Sequence, residues 1–222
     1  MAYVTLLSMS ARLGAIAAAL VSTAAVLTAA PAAADGPCPD FEVVFARGTN
    51  DTPGMGRVGD AFSEALRPQL GGRTLGAYAV NYPASYDFLT AQDGAVDATN
   101  HIIAMATQCP ATKIILGGYS QGAAVVDMLA GIPPLGDKVG EIAQAPALPA
   151  NLDHNVVAVA VFGNPSTKFS IPITNSVFGG RAIDLCKDGD PICSRGRNPF
   201  AHSDYVSAGL TDQAAGYVAR LL

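Results

Sequence analysis

"TKIILGGYSQGAAVVDMLAGI", residues 112–132, decides the fold. "KIIL" is an apolar, largely β-branched run, the composition of a buried strand. "QGAAVVDMLAGI" (121–132) reads as a helix. Between them, G-Y-S-Q-G sets Ser120 between Gly118 and Gly122. A serine at a strand–turn–helix junction fits a nucleophile elbow. There the serine backbone is strained, and the flanking glycines remove side chains that would strike the neighbouring strand and helix. The competing account is a serine that merely caps the helix N-terminus. A base and an acid at the right edge of the sheet decide between them.

The rest of the chain alternates in the same way. "FEVVFARG" (41–48), "TLGAYAVNYP" (74–83) and "NVVAVAVFGNP" (155–165) read as further strands, and "RAIDLC" (181–186) offers a fifth. "RVGDAFSEALRPQL" (57–70), "DGAVDATNHIIAMATQC" (93–109) and "DQAAGYVARLL" (212–222) read as helices. Strands apolar on both faces and alternating with helices imply an α/β fold with a parallel sheet covered on both sides. The Pro- and Gly-rich stretch 131–151 reads as a long surface connection.

Three histidines are available as base. His101 falls mid-helix beside Ile102 and Ile103. His154 precedes a strand, at the wrong edge of a parallel sheet. His202 follows the last strand and alone fits the order Ser…Asp…His. The acid then lies in "CKDGDPIC" (186–193), which offers Asp188 and Asp190, with Asp184 in the strand before them. Asp190 is preferred over Asp188 because Pro191 stiffens its backbone. The alternative is a stapled turn with solvated aspartates. For an oxyanion, the N–H of Gln121 follows the nucleophile, and Thr49 in "ARGTN" supplies a second donor from the loop after an early strand. Taken alone, Arg47-Gly48-Thr49 is equally a plain β-turn.

"GMGRVG" (54–59) matches a dinucleotide fingerprint, but it stands several residues beyond the strand. The second strand ends in "VNYP", with no acid for a ribose hydroxyl. In a chain with 23 glycines it reads as a loop leading into a helix.

Composition bounds the partners. The net charge is −5 without any run of Lys or Arg, which excludes a nucleic-acid backbone as partner. Half the residues are hydrophobic and 222 residues suffice for one sizeable core. Residues 1–34 carry a single charge, Arg12, then "LGAIAAALVSTAAVLTAA" (13–30) and "PAAAD", the pattern of a secretory signal peptide rather than a membrane anchor. "MAYVTLLSMS" is apolar for its leading region, which fits translation starting at Met9. The mature domain is then 35–222, and secretion is expected. Four cysteines after a signal peptide suggest two disulfides. Cys186 and Cys193 lie close in sequence and pair, leaving Cys38 with Cys109. Scattered histidines and the lack of C-x-x-C argue against zinc.

"VVFARGTND", "GGYSQGAAVVD", "VAVFGNP", "CKDGDPIC" and "AHSDYV", in that order, resemble the cutinase family of serine esterases. The likeness is closest to secreted cutinase-like proteins of mycobacteria and related actinobacteria, and it runs from Cys38 to the C-terminus. It implies a small α/β-hydrolase fold with a central five-stranded parallel sheet flanked by helices. It also implies a triad of Ser120, Asp190 and His202 and oxyanion donors at Thr49 and Gln121, with Thr49 where fungal members have serine. No metal or cofactor is expected. The expected activity is hydrolysis of short to medium acyl esters by a monomer that touches lipid or cell-envelope surfaces transiently. A phospholipase, a polysaccharide acetyl esterase and a non-catalytic secreted binding protein are the alternatives. The loops at 171–180 and Pro199-Phe200 are expected to line the acyl groove.

Overall fold

The computed structural model describes residues 37–135 and 144–222. The signal-peptide reading of residues 1–34 lies outside the described residues, as does part of the 131–151 connection.

Five strands form one sheet: β1 (Phe41–Ala46), β2 (Leu75–Ala79), β3 (Lys113–Tyr119), β4 (Val156–Phe162) and β5 (Ala182–Leu185). Their order is β2-β1-β3-β4-β5 and every pairing is parallel. Four α-helices cover it: α1 (Gly56–Leu66), α2 (Ala91–Gln108), α3 (Gln121–Leu129) and α4 (Leu210–Ala219). α1 packs with α4 on one face, and α2 packs with α3 on the other.

Alternation along each strand builds the two cores. On β1, Val43 and Phe45 point to the α1/α4 side, while Val44 and Ala46 point to the α2/α3 side. Phe45, Phe62 of α1 and Phe162 of β4 pack with ring centroids 6.0–6.5 Å apart. Both faces are buried, so β1, β3 and β4 read as continuous apolar runs. The β3–β4 register slips between Ile114 and Ile115. One residue of β4 is skipped there, a bulge that re-aims the strand.

Most elements are shorter than the sequence reading, α1 and β2 most instructively. The helix expected over 57–70 is α-helical only to Leu66, and Arg67–Leu70 is a tighter 3-10 turn carrying Pro68. Proline removes an N–H from the ladder and ends the regular helix. β2 stops at Ala79 rather than 83, because its partner β1 ends at Ala46 and only Val80 N still reaches Phe45 O, at 3.0 Å.

The chain runs from β1 outward to β2, then crosses back to place β3 on the other flank of β1. The strand order reverses there. At such a switch point the two following loops diverge and leave a crevice beyond the carboxyl ends of the strands. The loop after β1 carries Thr49, and the turn after β3 carries Ser120. Cys38 bonds Cys109, tying the chain ahead of β1 to the end of α2, and Cys186 bonds Cys193 just after β5.

Candidate active site

Ser120 joins β3 to α3 with φ 56° and ψ −116°, a left-handed conformation that a non-glycine residue adopts only under tertiary constraint. Three contacts impose it. Ser120 N donates to Phe162 O of β4 at 2.9 Å. A Cβ on Gly118 would lie 2.2 Å from Gly122 O, and one on Gly122 would lie 1.9 Å from Ala46 O. Only glycine fits either place. The Ser120 side chain caps no backbone N–H of α3. Its Oγ instead lies 2.8 Å from His202 Nε2. The capping account of this serine has no contact behind it.

His202 sits in a 3-10 turn, Pro199–Ser203, which Asn198 caps by accepting Phe200 N at 3.1 Å. Its Nδ1 lies 2.7 Å from Asp190 Oδ2. Bonded to a carboxylate there, Nδ1 carries the proton and Nε2 is left to accept from the serine hydroxyl. Gly163, just after β4, lies behind the ring: a Cβ there would come within 2.9 Å of His202 Cε1. On the other side the Tyr119 ring stacks 5.1 Å away and its hydroxyl donates to His202 O.

Asp190 is fully buried. Burial alone would raise its carboxyl, but hydrogen bonds from His202, Tyr205 and the Ile192 amide hold it below the usual carboxylate value. The loop bearing it is closed by the Cys186–Cys193 bridge and by Asn198 N donating to Gly189 O at 2.9 Å. The other two acid candidates are elsewhere. Asp188 is exposed. Asp184 takes hydrogen bonds from Asn164, Thr167 and the Ile173 amide. His101 is likewise spent, 2.7 Å from Glu42 and stacked on Tyr78, and His154 lies ahead of β4.

Thr49 and Gln121 meet across the crevice, with Thr49 Oγ1 3.4 Å from Gln121 Oε1. As the first residue of α3, Gln121 has an N–H with no helical carbonyl to take it, and the positive end of α3 points the same way. Gln121 Nε2 donates to Ser85 O at 3.1 Å, tying the turn to the loop after β2. The loop bearing Thr49 hangs on Arg47. Arg47 is buried, and its guanidinium donates to the carbonyls of Asp51, Val80, Tyr82 and Pro83. In sequence, Arg47-Gly48-Thr49 reads as an oxyanion loop or equally as a plain β-turn, and Gly163, Tyr119 and Tyr205 are not singled out. A buried arginine among carbonyls has no local signal. For Tyr205 the signal was its place three residues after His202.

A groove of about 590 Å³ opens over Ser120. Tyr86, Phe88, Ala91, Ala124, Pro134 and Leu135 line one side. Ile192, Ser203 and Arg57 lie on the side of His202. This corrects the expectation for 171–180. Ile173 and Phe178 are fully buried in the α2/α3 core and do not reach the groove, because their apolar surface is taken up beneath β4 and β5. Phe200 is 82% exposed and stands outside the lining. Two of the GMGRVG glycines have packing reasons of their own: a Cβ on Gly59 would lie 2.6 Å from the Phe45 ring and one on Gly56 2.7 Å from Asp51 Oδ2, while Gly54 faces open space.

Comparison with known proteins bears on this geometry. The family model described as Cutinase matches residues 37–222. Phospholipase Culp4 of Mycobacterium tuberculosis is 48% identical over 208 residues, covering 92% of this chain and 88% of that protein. Carboxylesterase Culp1 of Mycobacterium bovis is 44% identical over 216 residues, covering 91% and 93%. Among solved structures, Trichoderma reesei cutinase in complex with a phosphonate inhibitor superposes with a TM-score of 0.66 at 35% identity, over 83% of this chain and 77% of that one. The catalytic core of acetyl xylan esterase from the same organism gives 0.71 at 23% identity, over 84% and 100%, a likeness of fold.

Proposed function

The chain belongs to the cutinase family and is a serine carboxylic-ester hydrolase, and on that footing we propose that Ser120, His202 and Asp190 are its catalytic triad. The observation that carries this is the continuous chain of contacts from Ser120 Oγ to His202 Nε2 at 2.8 Å and from His202 Nδ1 to Asp190 at 2.7 Å.

The chemistry follows from those contacts. His202 Nε2 takes the hydroxyl proton as Ser120 Oγ attacks the ester carbonyl. The carbonyl oxygen becomes an oxyanion, received by the N–H groups of Thr49 and Gln121. The tetrahedral species collapses, the C–O bond to the alcohol breaks, and His202 gives its proton to the departing oxygen. Water then enters, loses a proton to His202 and releases the acid from the acyl-serine. Asp190 holds the imidazole in the required tautomer and balances the imidazolium.

The substrate is an ester with an apolar acyl part. A groove with an aromatic and aliphatic wall holds short to medium acyl chains better than an acetyl group alone. Tyr86, Phe88, Leu89 and Phe200 leave 52–82% of their surface exposed near that groove, and such a rim suits transient contact with a lipid or cell-envelope surface. We read the enzyme as secreted and monomeric, with residues 1–34 as its signal; the two disulfides agree with an oxidising compartment. A second reading is hydrolysis of glycerophospholipids. The 48% identical relative is named a phospholipase, and Arg57, whose guanidinium donates to the Ser203 carbonyl, puts a cation in the groove lining that a phosphate could meet.

p-Nitrophenyl esters of increasing chain length test the proposal. Rates should peak at short to medium chains and vanish in Ser120→Ala. Full activity in Ser120→Ala would refute the triad. Phospholipid hydrolysis that falls in Arg57→Gln, while p-nitrophenyl butyrate hydrolysis persists, would favour the second reading.

A further inference from the structure

Asp190 Oδ2 is a shared acceptor. It lies 2.7 Å from His202 Nδ1 and 2.7 Å from the Tyr205 hydroxyl. Tyr205 is fully buried, and its surroundings fix where its proton goes. The Lys187 backbone N–H, 3.2 Å away, can only donate to the phenol oxygen. Cys193 Sγ, at 3.4 Å, belongs to a disulfide and has no proton to give. Sulfur is also a weak acceptor. The phenol proton therefore points at Asp190. The ring cannot swing away, because it packs edge-on against His202, Tyr119 and Phe162, with centroids 5.6–6.3 Å apart.

We propose that Tyr205 is a positioning residue of the triad: by hydrogen-bonding the same Asp190 oxygen that faces His202, it sets the pH at which His202 becomes a competent base. The proposal rests on the triad reading above. A hydrogen bond to a carboxylate is charge-assisted and draws negative charge toward the donor. The oxygen facing the imidazole then offers less attraction to the imidazolium. Without the phenol, Asp190 would hold the imidazolium more tightly. The phenol remains a donor throughout, since burial and the contact with Asp190 both push its ionisation far up.

Other charged and titratable groups approach His202 without touching this bond. Tyr119 of β3 donates to the His202 carbonyl, and Arg57 of α1 donates to the Ser203 carbonyl. Asp51, in the loop after β1, accepts from Gly48 N. Among the described residues, Tyr205 alone bonds the Asp190 oxygen that His202 uses.

The test is the pH dependence of kcat/KM for p-nitrophenyl butyrate in Tyr205→Phe. The acid limb should move up by roughly half a unit or more, with the plateau kept within about tenfold. A merely structural tyrosine would lower the melting temperature and leave the limb in place. That result, or a limb that moves down, overturns the proposal. If the variant fails to fold, 3-fluorotyrosine incorporated throughout the chain makes each phenol a stronger donor and should move the limb to lower pH; an unmoved limb again overturns the proposal. Fluorophosphonate labelling of Ser120 is run alongside. A labelled serine with an unmoved limb sinks the role of Tyr205 alone, whereas an unlabelled wild-type serine sinks the triad reading and this proposal with it.

Discussion

Gly122 lies so close to the end of β1 that a Cβ on it would stand 1.9 Å from the Ala46 carbonyl oxygen and 2.7 Å from that of Arg47. The turn bearing Ser120 and the loop bearing Thr49 are therefore in backbone contact, and neither can shift alone. Gly122→Ala should cost at least about 3 kcal/mol, the upper range for overpacking, because backbone rather than a side chain must give way. The measurement is thermal unfolding, with a fall of about 10 °C expected for a domain of this size. A melting temperature within a degree or so of wild type would contradict the contact.

Asp190 and Asp188 stand two residues apart, the first buried against His202 and the second exposed. Asp190→Asn should reduce kcat roughly 10⁴-fold, because the imidazole is then held in the wrong tautomer. Asp188→Asn should leave kcat within about twofold, as for an exposed surface change. Steady-state kinetics on both variants checks the assignment, and an equal loss in the two would undo it.

The two disulfides should separate stability from catalysis. Cys38–Cys109 spans 71 residues and Cys186–Cys193 spans 7. By loop-closure entropy they contribute about 4 and about 2.5 kcal/mol. Replacing both cysteines of the long bridge with serine should lower the melting point more, yet spare kcat below that point. Replacing the short bridge should lower kcat, because it closes the loop that holds Asp190. Melting curves and kcat for the two double variants decide this.

A buried acidic pair should make stability fall with pH. Asp127 of α3 is fully buried and shares Asn164 Nδ2 with Asp184. Burial raises both carboxyls above their ordinary value near 3.8, well above it for Asp127. The folded state then keeps a proton that the unfolded chain releases. Stability is complete below about pH 4 and declines as pH climbs through the raised value. Asp127→Asn should match wild type near pH 4 and melt higher near pH 8. Parallel melting curves across that range would rule the pair out as the cause.

Much of this was legible in the sequence because the elbow is local. Gly118, Ser120 and Gly122 announce the turn, and the apolar run before them announces the strand. The cysteine spacing around Asp190 and the late position of His202 carried the rest of the site. What escaped was long-range. Ile173 and Phe178 sit in a glycine-rich segment that reads as a surface loop, and only the packing beneath β4 and β5 turns them inward. Tyr86 and Phe88 follow the edge strand β2, and nothing near them in sequence says that they face Ser120 across the switch point. Arg47 holds its loop through carbonyls more than thirty residues away, a relation that no local pattern encodes.

The most direct test of the triad is covalent. A fluorophosphonate probe is reacted with the purified protein and the adduct is located by peptide mass mapping. Stoichiometric labelling at Ser120, lost in Ser120→Ala and strongly slowed in His202→Gln, is the predicted result. No adduct, or an adduct on any other residue of a folded, ester-hydrolysing protein, would contradict it.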